Sequence, residues 1–162
     1  MRIAGPWALV GLLLAAMLSC ARADTPILTV RGKIGASGGP EIVTFDRQGL
    51  AGFRQHSIRT KTVWTDGAHT FRGVLLCDLL DAVDAYGDTV EARALNDYFV
   101  EIPIEDCRRY PVLLATEQDG ERLTVRSRGP IWIIYPRDDF DELHNSLMDA
   151  RWVWQLQELI VR

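Results

Sequence analysis

Short segments of alternating apolar and polar residues dominate the chain and predict a protein built mainly from strands. Alternation between turn residues is typical of a strand with one buried face. The predicted strands are 27–34, 43–45, 56–64, 89–94, 98–102, 112–115, 123–125, 130–135 and 152–161. Of these, 130–135 is apolar throughout, which favours a strand buried on both faces.

Helical spacing of apolar residues is rarer and predicts only a few helices. The clearest helix has its apolar positions three or four residues apart, at Leu75, Leu76, Leu79, Leu80 and Val83. Asp46 is expected to cap a short helix through Leu50, because its carboxylate can accept the free N–H groups of a first helical turn. A helical turn at 104–109 and a helix at 138–150 complete the predicted set.

The first residues differ in character from the rest of the chain. Arg2 precedes an uncharged, mostly apolar stretch at 3–18, which is shorter than the roughly 20 residues of a membrane-spanning helix. It has the length of the apolar core of a signal peptide, and Ala-Arg-Ala at 21–23 fits the A-x-A cleavage site. No repeat, linker or low-complexity stretch divides the remainder. We therefore predict a signal peptide at 1–23 and one compact domain at 24–162.

Export predicts a periplasmic location for the mature domain. One alternative is a lipoprotein, because Leu18-Ser19-Cys20 loosely resembles the signal that leaves a lipidated cysteine at the new N-terminus. Leu18 fits poorly where such signals prefer a small residue, which favours a periplasmic protein without a lipid on Cys20. No later apolar run has the length of a membrane span.

The balance of charges argues against two classes of partner. The chain has 18 basic and 22 acidic residues, for a net charge of −4. The predicted leader carries two arginines and no acidic residue, so its removal makes the domain more acidic still. Because nucleic acids and anionic lipids attract basic surfaces, neither is expected as a partner.

Two cysteines, Cys77 and Cys107, remain after the leader. They can pair in an oxidising compartment, but spacing alone does not decide between a disulfide and two separate thiols. No C-x-x-C or cysteine–histidine spacing typical of zinc ligands occurs. A Walker loop, a nucleophile elbow and an H-E-x-x-H motif are also absent from the sequence. No catalytic or metal-binding residue is therefore predicted.

Four segments carry short motifs whose order and spacing are informative together. Segment 71–80 contains F-x-G-V-x-L-x-D-L-L, 94–106 ends in I-P-I-E-D, 112–120 contains L-L-A, and 128–136 reads R-G-P-I-W-I-I-Y-P. These resemble W-x-G-V-P-L-x-D-L-L, I-P-L-E-D, L-L-A and G-G-P, which follow one another in the sulfite-oxidase-type molybdopterin-binding domain. The resemblance implies a sulfite-oxidase-like fold of α+β class, mainly β.

One position departs from that family. There, a cysteine in a C-x-x-x-W segment upstream of the G-V-P-L motif ligates molybdenum. The corresponding segment here is 60–64, with Thr60 in the cysteine position, and the mature chain has no cysteine before Cys77. A threonine hydroxyl does not replace a soft thiolate as a metal ligand. Molybdenum is therefore not expected, and we predict that the protein is not an enzyme.

Without the metal ligand, the chain resembles a smaller branch of the same family. This branch consists of short exported proteins that bind pterins and partner the periplasmic domains of membrane-bound cyclic-di-GMP enzymes. The resemblance implies a non-catalytic periplasmic protein that binds a pterin and reports it to a membrane signalling protein. That partner would be a cyclic-di-GMP cyclase or phosphodiesterase, or else a kinase. Two alternatives stay open: a molybdenum-cofactor-dependent oxidoreductase with an atypical metal ligand, and an interaction domain that binds no ligand.

A pterin is a flat, polar bicycle, so its pocket needs an aromatic or arginine plane and polar groups along the ring edge. The candidate binding residues are Trp64, Asn96, Asp97, Arg126, Arg128, Trp132, Tyr135 and Arg137. Asp97 is assigned to the ring edge because a carboxylate can accept from two adjacent N–H donors. The structural alternatives are a simple turn for Asn96-Asp97, core packing for Trp132 and solvated arginines. Trp152 and Trp154 lie two residues apart and would share one strand face, either as a stacking platform or as a hydrophobic seam, of which the seam is favoured.

Overall fold

The first of two sheets contains the first and the last strand of the described chain. Its strands are β1 (Leu28–Gly32), β2 (Ile42–Phe45), β5 (Thr89–Ala94), β6 (Phe99–Pro103) and β10 (Leu156–Val161). They lie in the order β2-β1-β10-β5-β6, with β1 and β10 parallel and the other neighbours antiparallel. The computed structural model describes residues 25–162. The predicted signal peptide and Cys20 lie outside them.

The second sheet is antiparallel and branched. It contains β3 (His56–Lys61), β4 (Ala68–Leu75), β7 (Leu113–Gln118), β8 (Glu121–Arg122) and β9 (Trp132–Ile134). The order is β3-β4-β7-β8, and β9 also pairs with β7. Gly73 allows β4 to approach β7, because a Cβ at this position would lie 2.0 Å from the carbonyl oxygen of Leu114. This contact explains the glycine in segment 71–80.

Short helices connect the strands. They are α1 (Arg47–Ala51), α2 (Leu76–Ala82), α3 (Ile104–Arg109) and α4 (Ser146–Asp149). The predicted cap is confirmed, since the Gly49 N–H donates to the Asp46 carboxylate at 2.6 Å. Cys77 of α2 and Cys107 of α3 form a disulfide with their Cα atoms 5.4 Å apart. In the described part of the chain, no helix has the length and apolarity needed to cross a membrane.

The core draws on both sheets and on α2. Residues 131–135 have no solvent exposure, which confirms the prediction of a strand buried on both faces. Trp132, Tyr135 and Phe71 are the largest side chains that are completely buried. The predicted class, α+β with strands dominant, is confirmed.

The predicted helix at 138–150 is wrong. The segment forms two 3-10 turns, Arg137–Asp139 and Asp141–Leu143, before the single turn of α4. Polar side chains in this segment bond to the backbone instead of leaving it free to continue a helix. The Asp138 carboxylate accepts from the Lys61 N–H at 3.1 Å, and Asn145 caps α4 by accepting from the Met148 N–H at 3.0 Å.

Several further elements differ from the predictions, and β3 and β9 are shorter than the strands predicted at 56–64 and 130–135. β4 was missed because the apolar run that leads into α2 does not distinguish a strand from a helix. The predicted strand at 123–125 is wrong, since a 3-10 turn at Val125–Ser127 follows the short strand β8. β10 begins at Leu156 instead of residue 152, and the irregular segment before it forms one wall of the site described below.

Candidate functional site

A cleft of about 200 Å³ opens where the β5–β6 turn faces the segment between α4 and β10. We call it the tryptophan cleft. The residues that line it are Trp64, Asn96, Tyr98, Asp149, Ala150, Trp152, Val153 and Trp154. The Tyr98 hydroxyl donates to the Ala150 carbonyl at 2.8 Å and joins the two sides. The two backbone segments that form the cleft are therefore tied together.

Four of the eight residues that line the cleft are aromatic. The ring of Trp64 meets that of Trp154 edge to face, with centroids 5.4 Å apart and planes at 86°. It also lies 6.0 Å from the ring of Trp152. Trp132 packs behind this wall, 6.4 Å from both Trp64 and Trp154. Such edge-to-face pairs are favourable beyond the burial of their area, so the rings hold one another in place.

Arg128 supports the aromatic wall from behind. Its guanidinium carbon lies 5.2 Å from the ring centroid of Trp132 and 5.9 Å from that of Trp154, within the range of a cation–π interaction. The same side chain donates to the Trp64 carbonyl at 2.9 Å. Arg128 therefore connects three of the tryptophans rather than standing as a solvated arginine.

The polar groups of the cleft lie at its two ends. Asp149 forms an ion pair with Arg137, and both side chains are largely buried. Across the cleft, the side-chain oxygen of Asn96 accepts from the Tyr98 N–H at 3.2 Å, which fixes the β5–β6 turn. The cleft thus combines aromatic planes with one carboxylate and one amide.

Two indole N–H groups near the cleft have no acceptor among the described residues. Nε1 of Trp132 and Nε1 of Trp152 are both buried without a hydrogen-bond partner. Leaving a buried donor unsatisfied costs about 1–3 kcal/mol. Trp152 lines the cleft, but its N–H is covered by the protein and does not open into the cleft.

Tyr135 stabilises the structure beneath the cleft. Its hydroxyl donates to the Asp106 carboxylate at 2.8 Å, and Arg151 donates to the same oxygen at 2.5 Å. Burial, followed by the nearby Asp106 carboxylate, raises the pKa of Tyr135 well above its usual value, so the phenol stays protonated. Its ring centroid lies 6.2 Å from that of Trp152. The triad therefore fixes the segment that carries Trp152.

The eight predicted binding residues fall into three groups. Trp64 and Asn96 line the cleft. The buried or half-buried residues behind its wall are Arg128, Trp132, Tyr135 and Arg137. Asp97 and Arg126 are exposed in turns and do not reach the cleft wall. For Asn96-Asp97 the turn interpretation holds, since Asp97 adopts a φ of 64° between β5 and β6.

Sequence reasoning missed several residues of the cleft wall. Tyr98 and Asp149 were not proposed, and for Trp152 and Trp154 a seam was favoured over a stacking platform. Trp152 is buried as a seam predicts, but Trp154 is only half-buried, and both line the cleft. The W-x-W spacing directly before the last strand is the signal for the platform interpretation.

The position of the molybdenum-ligating cysteine is occupied by a residue that is bonded within the protein. Thr60 is completely buried. Its hydroxyl lies 3.2 Å from the Lys61 carbonyl, to which it donates, and accepts from the Asp138 N–H at 3.2 Å. Cys77 and Cys107 are bonded to each other, so residues 25–162 offer no thiolate. Within that range no three His, Cys, Asp or Glu side chains are grouped as metal ligands either. The donor set does not fit molybdenum.

Comparison with known proteins agrees with the predicted fold. The structure is similar to the crystal structure of the sulfane dehydrogenase SoxCD from Paracoccus pantotrophus, with a TM-score of 0.62 and 18% sequence identity. The similar region covers 83% of this chain but 37% of the SoxCD chain, so this chain corresponds to little more than a third of that length. No curated protein matches the sequence.

The family assignment rests on residues 48–138. They match the model of the oxidoreductase molybdopterin-binding domain, which is more than half of the chain. The match includes the four motif segments and Trp64, and it ends before Asp149. The predicted resemblance is confirmed: the chain belongs to the oxidoreductase molybdopterin-binding domain family.

Proposed function

We propose that this chain is a non-catalytic periplasmic protein that binds a pterin in the tryptophan cleft and reports it to a membrane-bound signalling enzyme of the cyclic-di-GMP type. The observation that carries the proposal is the difference between the family's metal position and the tryptophan cleft. The metal position is filled by an internally bonded threonine, while a cleft lined by aromatic rings, a carboxylate and an amide is present.

The size and lining of the cleft support a small aromatic ligand. Its volume of about 200 Å³ lies below the roughly 300–1,000 Å³ of sites for drug-sized ligands. A single bicyclic ring system is therefore favoured over a molecule with a long tail. Trp64 and Trp154 supply ring surfaces, and Asn96 and Asp149 supply groups that can bond to the edge of a polar ring.

The chemistry of the available side chains supports a role without catalysis. The described residues contain no free thiol, and the hydroxyl in the family's metal position is engaged with the backbone. Tyr135 and Asp106 are buried together and bonded to each other, so neither is available to move a proton in the cleft. Binding followed by recognition is what these residues can provide.

Two observations support export. The sequence predicts a signal peptide at 1–23. The disulfide between Cys77 and Cys107 is typical of proteins that work in an oxidising compartment such as the bacterial periplasm.

The surroundings of the cleft support a protein partner. Val63, Leu95 and Leu147 lie within two residues of cleft residues in the sequence and are exposed, as is Tyr98 of the cleft itself. Exposed apolar side chains beside a binding site are typical of surfaces that contact another protein. A partner docked there would sense whether the cleft is filled.

The test is to express the full chain with its leader, purify it from the periplasm and analyse what it carries. Released ligand is identified by fluorescence and mass spectrometry, and metal by elemental analysis. We expect near-stoichiometric pterin and no molybdenum. Near-stoichiometric molybdenum would overturn the proposal in favour of the oxidoreductase. An empty protein that also fails to bind added pterins would favour the interaction domain without a ligand.

The reporting role needs its own experiment. Membranes from the source cells are solubilised and passed over the immobilised protein with and without added pterin. We expect a membrane enzyme that makes or degrades cyclic di-GMP to be retained, to a degree that depends on pterin. Retention that is the same with and without pterin would contradict a reporting role.

A further inference from the structure

We propose that Asp149 selects the ligand by its hydrogen-bonding edge, so that the cleft takes 2-amino-4-oxopteridines in preference to 2,4-dioxopteridines. This inference rests on the proposed function, since it concerns the same cleft. It assigns the edge-binding carboxylate to Asp149 in place of Asp97, which lies in an exposed turn away from the wall.

The position of Asp149 supports this role. Among the described residues that line the tryptophan cleft, it is the single one with a carboxylate. It lies at the end of α4, and Trp152 and Trp154 follow it closely in the chain. A ring packed against these tryptophans would therefore place its edge near the carboxylate.

The carboxylate of Asp149 is held in a defined orientation. Arg137 donates to its Oδ1, and the side chains of Arg137 and Asp149 are 18% and 21% exposed. An ionised carboxylate has about four acceptor sites on its two oxygens. After the bond to Arg137, acceptor capacity remains for two donors of a ligand.

The two ring types differ in the groups that they present to the Asp149 carboxylate. A 2-amino-4-oxopteridine presents the N3–H and one N–H of its 2-amino group side by side, which matches the two oxygens of a carboxylate. In a 2,4-dioxopteridine the amino group is replaced by a carbonyl, whose lone pairs face the carboxylate. One hydrogen bond becomes a repulsive contact, and the buried site penalises the mismatch.

The test measures the affinity of the purified full-length mature protein for pterin and for lumazine, which is the 2,4-dioxo analogue, by calorimetry. We expect wild type to bind pterin at least about tenfold more tightly than lumazine. This comparison needs no variant, so a folding defect cannot obscure it. Equal affinities for the two ligands would overturn the assignment while leaving pterin binding, and the proposed function, intact.

A pair of variants then locates the discrimination. Asp149→Asn should weaken pterin binding by about 10- to 100-fold and bring the ratio of the two affinities close to one. Asp139→Asn is the matched control, because it removes the same charge from an exposed position outside the cleft. It should leave both affinities unchanged. An Asp149→Asn protein that keeps the wild-type ratio would show that Asp149 does not select the ligand. Failure of wild type to bind either ring would instead refute the proposed function itself.

Discussion

The polar groups at Thr60 and those of the tryptophan cleft differ in how they are satisfied. At Thr60, the hydroxyl both donates to and accepts from the backbone, and the Lys61 N–H is bonded to the Asp138 carboxylate. In the tryptophan cleft, the Asp149 carboxylate is bonded to Arg137 through one oxygen and keeps acceptor capacity for a ligand. Buried polar groups normally find partners inside the protein. The first region is therefore structural, and the second is where a ligand is expected.

The family match covers the Thr60 region but only part of the tryptophan cleft. Residues 48–138 include Thr60 and Trp64, whereas Asp149, Trp152 and Trp154 lie after the end of the match. The segment shared with the family thus contains the position that has lost its metal ligand. Much of the cleft wall comes from residues beyond it. We infer that the ligand-binding properties of this chain depend strongly on its C-terminal part.

The largest effect is expected from the disulfide, which lies outside both regions. Replacing Cys77 and Cys107 by serine should lower the free energy of unfolding by about 3–4 kcal/mol, because the bond closes a loop with a sequence separation of 30. Denaturant unfolding of wild type and the double variant measures this. Variant protein that stays folded should bind pterin as wild type does. An unchanged unfolding midpoint would show that the bond is not formed in the protein.

The next effect concerns the aromatic wall of the cleft. Trp154→Ala should weaken pterin binding by about 10- to 100-fold, because stacking of a heterocycle on an aromatic side chain contributes about 1–3 kcal/mol. Trp154→Phe, which keeps a ring in place, is the control and should lose much less. Titration followed by ligand fluorescence compares them. Equal affinity in wild type and both variants would mean that the ligand does not contact this wall.

A smaller effect is expected at Thr60, and it concerns the stability of the fold instead of the affinity for pterin. Thr60→Val keeps the shape of the side chain but leaves the Asp138 N–H without its acceptor, so it should cost about 1–2 kcal/mol of stability. Pterin affinity should not change. Ser57→Ala, at an exposed position of the same strand, is the control and should be neutral. A loss of pterin affinity in Thr60→Val at unchanged stability would assign Thr60 to the binding site.

The smallest effect is expected from a partly exposed pair outside both regions. The hydrogen bond with the Asp119 carboxylate raises the pKa of His69, and burial opposes this only partly. Protonated His69 therefore stabilises the folded state below its unfolded pKa of about 6.5, and this contribution is lost as the pH rises through the folded pKa. The difference in Tm between wild type and His69→Gln should shrink between about pH 6 and about pH 9. A constant difference across that range would rule out the coupling.

Most of the fold could be predicted from the sequence because its elements have local signals. Alternation located most of the strands, and the carboxylate of Asp46 correctly marked the start of α1. The helix at 138–150 failed because its polar side chains bond to distant or capping backbone groups, including the Lys61 N–H. Hydrogen bonds to residues distant in the sequence cannot be predicted from the spacing of apolar residues.

The site was harder to predict than the fold. Trp64 and Asn96 were found because they lie in or beside the family motifs, but Asp149 lies in a segment without one. Asp97 was proposed because its neighbours matched a motif, but it is exposed in a turn and does not line the cleft. Which carboxylate faces the cleft depends on how α4 packs beside the β5–β6 turn, and that contact is long-range.

The most direct measurement is a crystal structure of the mature protein grown with pterin. We expect density for a flat bicycle in the tryptophan cleft, in contact with Trp64 or Trp154 and with its amino edge at Asp149. The Thr60 position should show only the threonine and its backbone partners. Density for a metal at Thr60, or a cleft closed by its own side chains with pterin bound elsewhere, would contradict the account.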